Sequence, residues 1–192
     1  MDFEVIQHIQ TPATPAIENV SDFIKENEET IKEFKSYAEK TRDCIGLAAN
    51  QCSADGNRVN LRMAAVKNIK NLNCTIAIDP KVTKFYGIKR KRAEGCLTWG
   101  YNGAYHCIVA DRYHFVDVEY YTPDGEFHKE THKGFQAQVW QHEINHLNGI
   151  EEVIMSADFD LEEPIDKKTL RNDRCPCGSG KKYKVCCIDE DK

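Results

Sequence analysis

The sequence predicts an α+β fold in which antiparallel strands pack around one central helix, with a small cysteine-rich knuckle at the C-terminus. Three observations carry this: short runs of β-branched and apolar residues through the middle of the chain, an almost wholly apolar helical stretch after them, and a cluster of thiols at the end. Taken in order, Ser21 to Arg42 reads as a helix, because Phe23, Ile24, Ile31, Phe34, Tyr37 and Ala38 keep an approximate helical period. It delivers the chain to a loop of small residues beginning at Gly46. Residues 62–68, 74–80 and 82–88 read as strands, as do 105–110, 113–121 and 126–131, with Pro123-Asp124-Gly125 as the turn between the last two. The second helix follows around Gln141-His142-Glu143-Ile144-Asn145-His146, and Gly149 fits the C′ position that ends it. Residues 156–174 are charged, contain Pro164 and lack periodicity, so they read as a linker. The chain thus divides into a main domain at 1–155, the linker at 156–174 and the knuckle at 175–189.

The second helix carries the first chemical signal. His142 and His146 are four residues apart, so they share a helix face and can grip one metal ion. Glu143 sits beside them, where it could take a proton from a water on that ion. An accidental surface pair would have the same spacing. However, Phe135, Val139, His142 and His146 form one stripe and Ala137, Trp140, Ile144 and Leu147 a second, so the helix is apolar on most of its circumference and reads as buried. Two histidines and a glutamate buried without a partner would be costly, and a metal supplies the partner. A catalytic site of this type takes a third protein ligand. Spacing leaves three candidates: Glu152 in His146-x-x-Gly149-x-x-Glu152, Cys96 in Glu94-Gly95-Cys96-Leu97-Thr98, and the acidic residues between Glu151 and Asp160.

A further motif, Gly46-Leu47-Ala48-Ala49-Asn50-Gln51, combines small residues that allow close backbone approach with an amide donor and acceptor. By itself such a run more often reflects tight packing than function. The three segments in this order, over roughly residues 1–155, resemble the peptide deformylases. The resemblance implies a metal-dependent hydrolase that removes the formyl group from the N-terminal formylmethionine of newly synthesised proteins and releases formate. It implies Cys96, His142 and His146 as metal ligands and Glu143 as general base and acid. Gln51 and the backbone N–H of Leu97 become the donors to the formyl oxygen as it turns into an oxyanion, and the Gly46 backbone a partner for the substrate main chain. The family's usual metal is ferrous iron, with nickel, cobalt or zinc as alternatives.

The chain departs from the family pattern at three places. Asn145 replaces the aspartate of the usual His-Glu-x-Asp-His, which touches an outer shell that tunes ligand orientation. Cys44 stands where a glycine usually opens the first motif, and Thr98-Trp99-Gly100 replaces the common continuation of the cysteine motif.

At the C-terminus, Cys175, Cys177, Cys186 and Cys187 lie in a short glycine-containing segment suited to tetrahedral zinc; disulfides or free thiols are the alternative. The segment resembles the SEC-C motif, also found at the end of the SecA translocation ATPase, and that resemblance implies these four cysteines as ligands of one structural zinc. It is too short to bury a core, so metal binding would supply its folding energy. It implies a contact with the ribosome or a chaperone, and Lys181, Lys182 and Lys184 give it a positive face.

Composition fits this reading. The chain has 192 residues and a formal net charge of −5, which argues against a generally basic nucleic-acid binder. Met1-Asp2-Phe3-Glu4 opens without a basic region or a long apolar stretch, so the expectation is a cytoplasmic monomer with no membrane span. Nine cysteines in such a chain serve as free thiols and metal ligands. Lys89-Arg90-Lys91-Arg92 reads as a solvated loop or strand edge, with contact to ribosomal RNA as the functional alternative. His8, His106, His114, His128 and His132 read as surface or strand residues without a partner pattern. Two other functions compete: a metzincin-like peptidase that uses Glu152, and a catalytically degenerate binding module in which Asn145 marks lost turnover.

Overall fold

The computed structural model describes residues 1–6, 11–41, 44–98, 107–150, 153–155, 171–172 and 181–185. Its elements run β1 (Phe3–Val5), α1 (Val20–Glu26), α2 (Glu28–Lys40), β2 (Gly46–Ala48), β3 (Cys52–Ala54), β4 (Asn57–Arg58), β5 (Met63–Lys67), β6 (Cys74–Gly95), β7 (Cys107–Tyr121), β8 (Phe127–Lys133), α3 (Gly134–Leu147) and β9 (Val153–Met155). All strand pairs are antiparallel. β2-β5-β6-β7-β8 form the main sheet, with β9 on β7, and β1-β3-β4 form a small second sheet.

The helix expected over 21–42 is two helices. Asn27 breaks it: its backbone N–H and its Nδ2 both donate to Phe23 O, at 3.1 and 2.8 Å, and divert the helical ladder. Conversely, the strands expected at 74–80 and 82–88 are one 22-residue strand, β6, that runs on through Lys89–Arg92 to Gly95. The pattern broke because β6 slips register against β7 at three places, two of them beside Asp79 (φ 49°) and Gly87 (φ 82°). The runs at 105–110 and 113–121 likewise merge into β7. The basic run is therefore strand, paired with β7 along one side, and Lys89 reaches Asp111 at 3.5 Å. His128 and His132, expected without partners, stack on Tyr120 and Trp140 with centroids 5.2 Å apart, and their ring nitrogens approach the Glu130 carboxylate at 3.8 and 3.2 Å.

Around β2, β5 and the start of β6 the main sheet is covered on both faces. On one face α2 packs Ile31, Phe34 and Ala38 against Leu47, Met63, Ala65, Ile76 and Ile78. On the other α3 packs Ala137, Val139, Trp140 and Ile144 against Val66, Ala77, Val116, Val118 and Tyr120. β5, with apolar neighbours above and below, accordingly reads as the unbroken apolar run Met63-Ala64-Ala65-Val66. The first motif is not a loop: Gly46, Leu47 and Ala48 are strand and pair with Val66, Ala65 and Ala64, and Ala49–Gln51 form a 3-10 turn. Leu47 faces α2, whereas Ala48 and Ala64 face Leu147 of α3. Small residues on that side let the helix approach the sheet closely.

The end of α3 is clamped by the N-terminal segment. Thr14 donates its N–H and its hydroxyl to Leu147 O, each at 2.9 Å, and Asn50 Nδ2 donates to both Pro12 O and His146 O. Arg62 adds bonds to Leu147 O, Asn148 Oδ1 and Asp79. These donors satisfy carbonyls that a helix C-terminus otherwise leaves open. Gly149 has φ 65°, as C′ requires, and a Cβ there would meet Ala13 N at 2.6 Å. Among the described residues no helix is long and apolar enough to cross a membrane.

Candidate active site

α3 points His142, Glu143 and His146 at β2 and at the end of β6, and all three are buried, at 7%, 3% and 7% exposure. Cys96 directly follows β6 and is 5% exposed. Its Sγ lies 3.4 Å from His146 Nε2, which lies 3.1 Å from His142 Nε2. Among the described residues Cys96, His142 and His146 are the one group of ligand-type side chains close enough to share a metal ion. Of the three ligands that spacing left open, the fold brings in Cys96. Glu152 lies outside the described residues, as do Cys175, Cys177, Cys186, Cys187, Trp99 and Gly100.

The donor set suits a metal. Each histidine has its Nδ1 engaged away from the centre: His142 Nδ1 lies 2.8 Å from Glu94 Oε2, and His146 Nδ1 lies 3.2 Å from Thr11 Oγ1. Both Nε2 atoms therefore turn inward beside the sulfur, as divalent-metal sites require. Glu94 is gripped in turn by Arg112, at 2.7 and 2.6 Å. Burial opposes ionisation of Glu94, but the hydrogen bonds from Arg112 and His142 outweigh it and hold the carboxyl below the usual range. Elsewhere, burial, aided by the Glu143 charge, pushes the Cys44 thiol up to about 12, and burial raises Cys52 as well.

Gln51 is oriented rather than merely near. Ala48 N–H donates to its Oε1 at 2.9 Å, which turns Nε2 toward Thr98 Oγ1 at 2.9 Å and Cys96 Sγ at 3.5 Å. Leu97 follows Cys96 and is half-buried against the α2-side core. Gly46 abuts Glu143: a Cβ at Gly46 would come within 2.8 Å of Glu143 Cγ and Cδ and closer still to Oε1. Real Cβ atoms do not tolerate such contacts, so Gly46→Ala is expected to displace the carboxylate and lower kcat by about 100-fold, since an ångström of misplacement costs that much. Retained metal content with lost turnover is the expected pattern; unchanged kcat would mean that the carboxylate position is unimportant.

Sequence reasoning missed Arg112, Thr11 and the anchoring roles of Glu94, Asn50, Thr98 and Gln141. Arg112 falls between the strands expected at 105–110 and 113–121, and only their merger into β7 gives it the parity of Val116, Val118 and Tyr120, which turns it inward, where a guanidinium needs a partner. Gln141 Oε1 accepts from Tyr113 N–H and its Nε2 donates to Tyr113 O, both at 2.9 Å, so a side-chain amide takes the place of a neighbouring strand between β8 and β9. No local pattern announces Thr11 or Asn50.

A thiol, two imidazoles and a carboxylate gathered at the buried end of an α+β sheet have the chemistry of a metal-dependent hydrolase. Residues 6–155 match the family model described as polypeptide deformylase, and the chain belongs to that family. It is 31% identical over 150 residues to a peptide deformylase of Macrococcus caseolyticus, an overlap that covers 77% of each chain. A crystal structure of a probable peptide deformylase from Synechococcus phage S-SSM7 superposes with TM-score 0.57 at 25% identity, covering 78% of this chain and 96% of that one. Residues 171–188 match the SEC-C motif. The chain also resembles the SecA translocase subunit of a Sulfurovum species, 36% identical over 78 residues, which is 38% of this chain and 9% of that protein. The chain is thus an enzyme of the deformylase type, acting on the N-terminal formyl group of newly made polypeptides.

Proposed function

We propose that the group at Cys96, His142 and His146 holds one catalytic divalent metal, with ferrous iron as the physiological ion, and that Glu143, Gln51, Leu97 and Gly46 perform the deformylation around it. The convergence of three buried ligand atoms beside Glu143 carries this reading. When bound, the metal supplies a water acidified enough to serve as nucleophile near neutral pH. Glu143 takes the proton of that water and returns it to the departing amine. Gln51 Nε2 and the Leu97 N–H donate to the formyl oxygen as charge develops on it, worth about 3 kcal/mol per donor in comparable sites. The Gly46 backbone aligns the substrate main chain along β2. Cys175, Cys177, Cys186 and Cys187 hold a structural zinc in a separate C-terminal unit that contacts a partner of the translation or export machinery, and the enzyme works as a cytoplasmic monomer on nascent chains.

The test is formate release from formyl-Met-Ala-Ser by protein purified without oxygen, with metal content measured for Cys96→Ala and Glu152→Ala. Loss of metal and turnover in Cys96→Ala, with both kept in Glu152→Ala, is the expected result. The reverse pattern would favour a metzincin-like site. Metal bound at Cys96 without turnover would favour the degenerate binding module.

A further inference from the structure

We propose that Thr98 is a positioning residue for deformylation: it takes one of the two amide hydrogens of Gln51 and so aims the other at the reacting side of the site. The inference rests on the reading of Gln51 as a donor to the formyl oxygen. Thr98 stands in the segment where the chain departs from the family pattern after the cysteine motif. It is 0% exposed, and Gln51 is 2% exposed. The direction of each bond follows from the donors. A backbone N–H can only donate, so the atom of Gln51 that lies 2.9 Å from Ala48 N is Oε1, and the orientation of the amide is fixed. Nε2 is then the atom that faces Thr98 Oγ1 at 2.9 Å and Cys96 Sγ at 3.5 Å. An amide nitrogen donates and does not accept, so the threonine oxygen is the acceptor. Nε2 has two hydrogens, held in the plane of the amide. One goes to Thr98, and the other is left for the side on which the sulfur lies. A flipped amide would set two N–H groups against each other at Ala48 and an oxygen against the sulfur.

Three contacts place this amide, and each controls a different part of it. The backbone of Gln51 closes the 3-10 turn Ala49–Gln51, and its carbonyl accepts from Ile6 N–H at 2.8 Å. Ala48 N–H fixes the oxygen side of the amide and Thr98 Oγ1 the nitrogen side. With the first two contacts alone the amide can still rock about the Ala48 bond, and Thr98 opposes that motion. Without the hydroxyl a buried N–H loses its partner, and the amide turns toward the sulfur, the acceptor already beside it. The hydrogen needed by the formyl oxygen is then aimed past it. Thr98 follows Cys96 and Leu97 directly, so one short segment supplies a metal ligand, a backbone donor and the aim of the side-chain donor.

The test compares formate release from formyl-Met-Ala-Ser by Thr98→Val, Thr98→Ser, Gln51→Ala and the double variant Thr98→Val with Gln51→Ala. Thr98→Val keeps the shape and removes the acceptor. Its kcat is expected to fall about tenfold, a part of what loss of a whole oxyanion donor costs, with KM little changed. Thr98→Ser keeps the hydroxyl and is expected to restore kcat. In the Gln51→Ala background Thr98→Val should cost nothing further, because it acts through that amide. Cobalt(II) titrations without oxygen, followed by the thiolate-to-cobalt charge-transfer absorption, should give Thr98→Val and the unsubstituted chain the same affinity. An unchanged kcat in Thr98→Val, a second loss in the Gln51→Ala background, or a fall in cobalt affinity that matches the fall in kcat would each overturn the proposal while leaving the donor reading of Gln51 intact. Undiminished kcat in Gln51→Ala would remove that reading, and this proposal with it. Should Thr98→Val fail to fold, Thr98→Ala takes its place in every arm.

Discussion

Glu143→Gln is expected to lower kcat for formyl-Met-Ala-Ser by about 10²- to 10⁴-fold, the range for loss of a positioned proton carrier. Glutamine keeps the size and one oxygen of glutamate, so the packing against Gly46 survives. The metal ligands are other residues, so cobalt or iron content should be unchanged. Most of the loss should fall on kcat rather than KM, because the proton moves only after substrate is bound. The carboxylate is 3% exposed at a place where neighbouring groups tolerate no displacement, and water has little room to stand in for it. A drop of less than about tenfold with metal in place would assign the proton transfer to another group.

Arg112→Met should be the most damaging change outside the reacting groups. Arg112 and Glu94 are 5% and 4% exposed and joined by two hydrogen bonds. Removing one member of such a pair leaves an unpaired buried charge, at a cost of about 3–5 kcal/mol. It also releases the carboxylate that orients His142, so metal affinity should fall with stability. The pH dependence has a defined sign. The folded carboxyl of Glu94 titrates below its unfolded value of 4.5, so its contribution is fully present above that pH and is lost as the pH falls through the lower folded value. Urea unfolding of the metal-free parent should therefore weaken only below about pH 4.5 on this account. In Arg112→Met burial is opposed by less, so the folded value rises toward the unfolded one and the loss of stability on acidification should become smaller. Parallel pH profiles for the two proteins would show that Glu94 does not draw its ionisation from Arg112.

What could be read from the chain alone follows from how local each signal is. His142, Glu143 and His146 are legible because one helical turn brings them together, and Gly149 because a helix end demands it. Cys96 is not legible by spacing: it lies 46 residues before His142, and only the sheet joins them. The first motif looked like a loop because glycine and alanines carry no strand signature. Its strand character comes from pairing with β5, a non-local cause. The break at Asn27 and the fusion of two expected strands into β6 have the same origin, since capping and bulges override an average periodicity. The outer partners Thr11, Asn50 and Arg112 are invisible to motif reading because each works through contacts far away in the sequence.

The clamp on α3 also bears on when activity can arise. Thr11 meets His146 across 135 positions of the chain, and Thr14 meets Leu147 across 133. Contacts of such sequence separation form late and slow a fold that depends on them. The helix can coil and the sheet can pair while a polypeptide is still being made, yet the histidine that completes the centre gains its support only when the first dozen residues return to the last helix. The centre of an enzyme that acts on unfinished proteins is thus itself completed only once its last helix has been made.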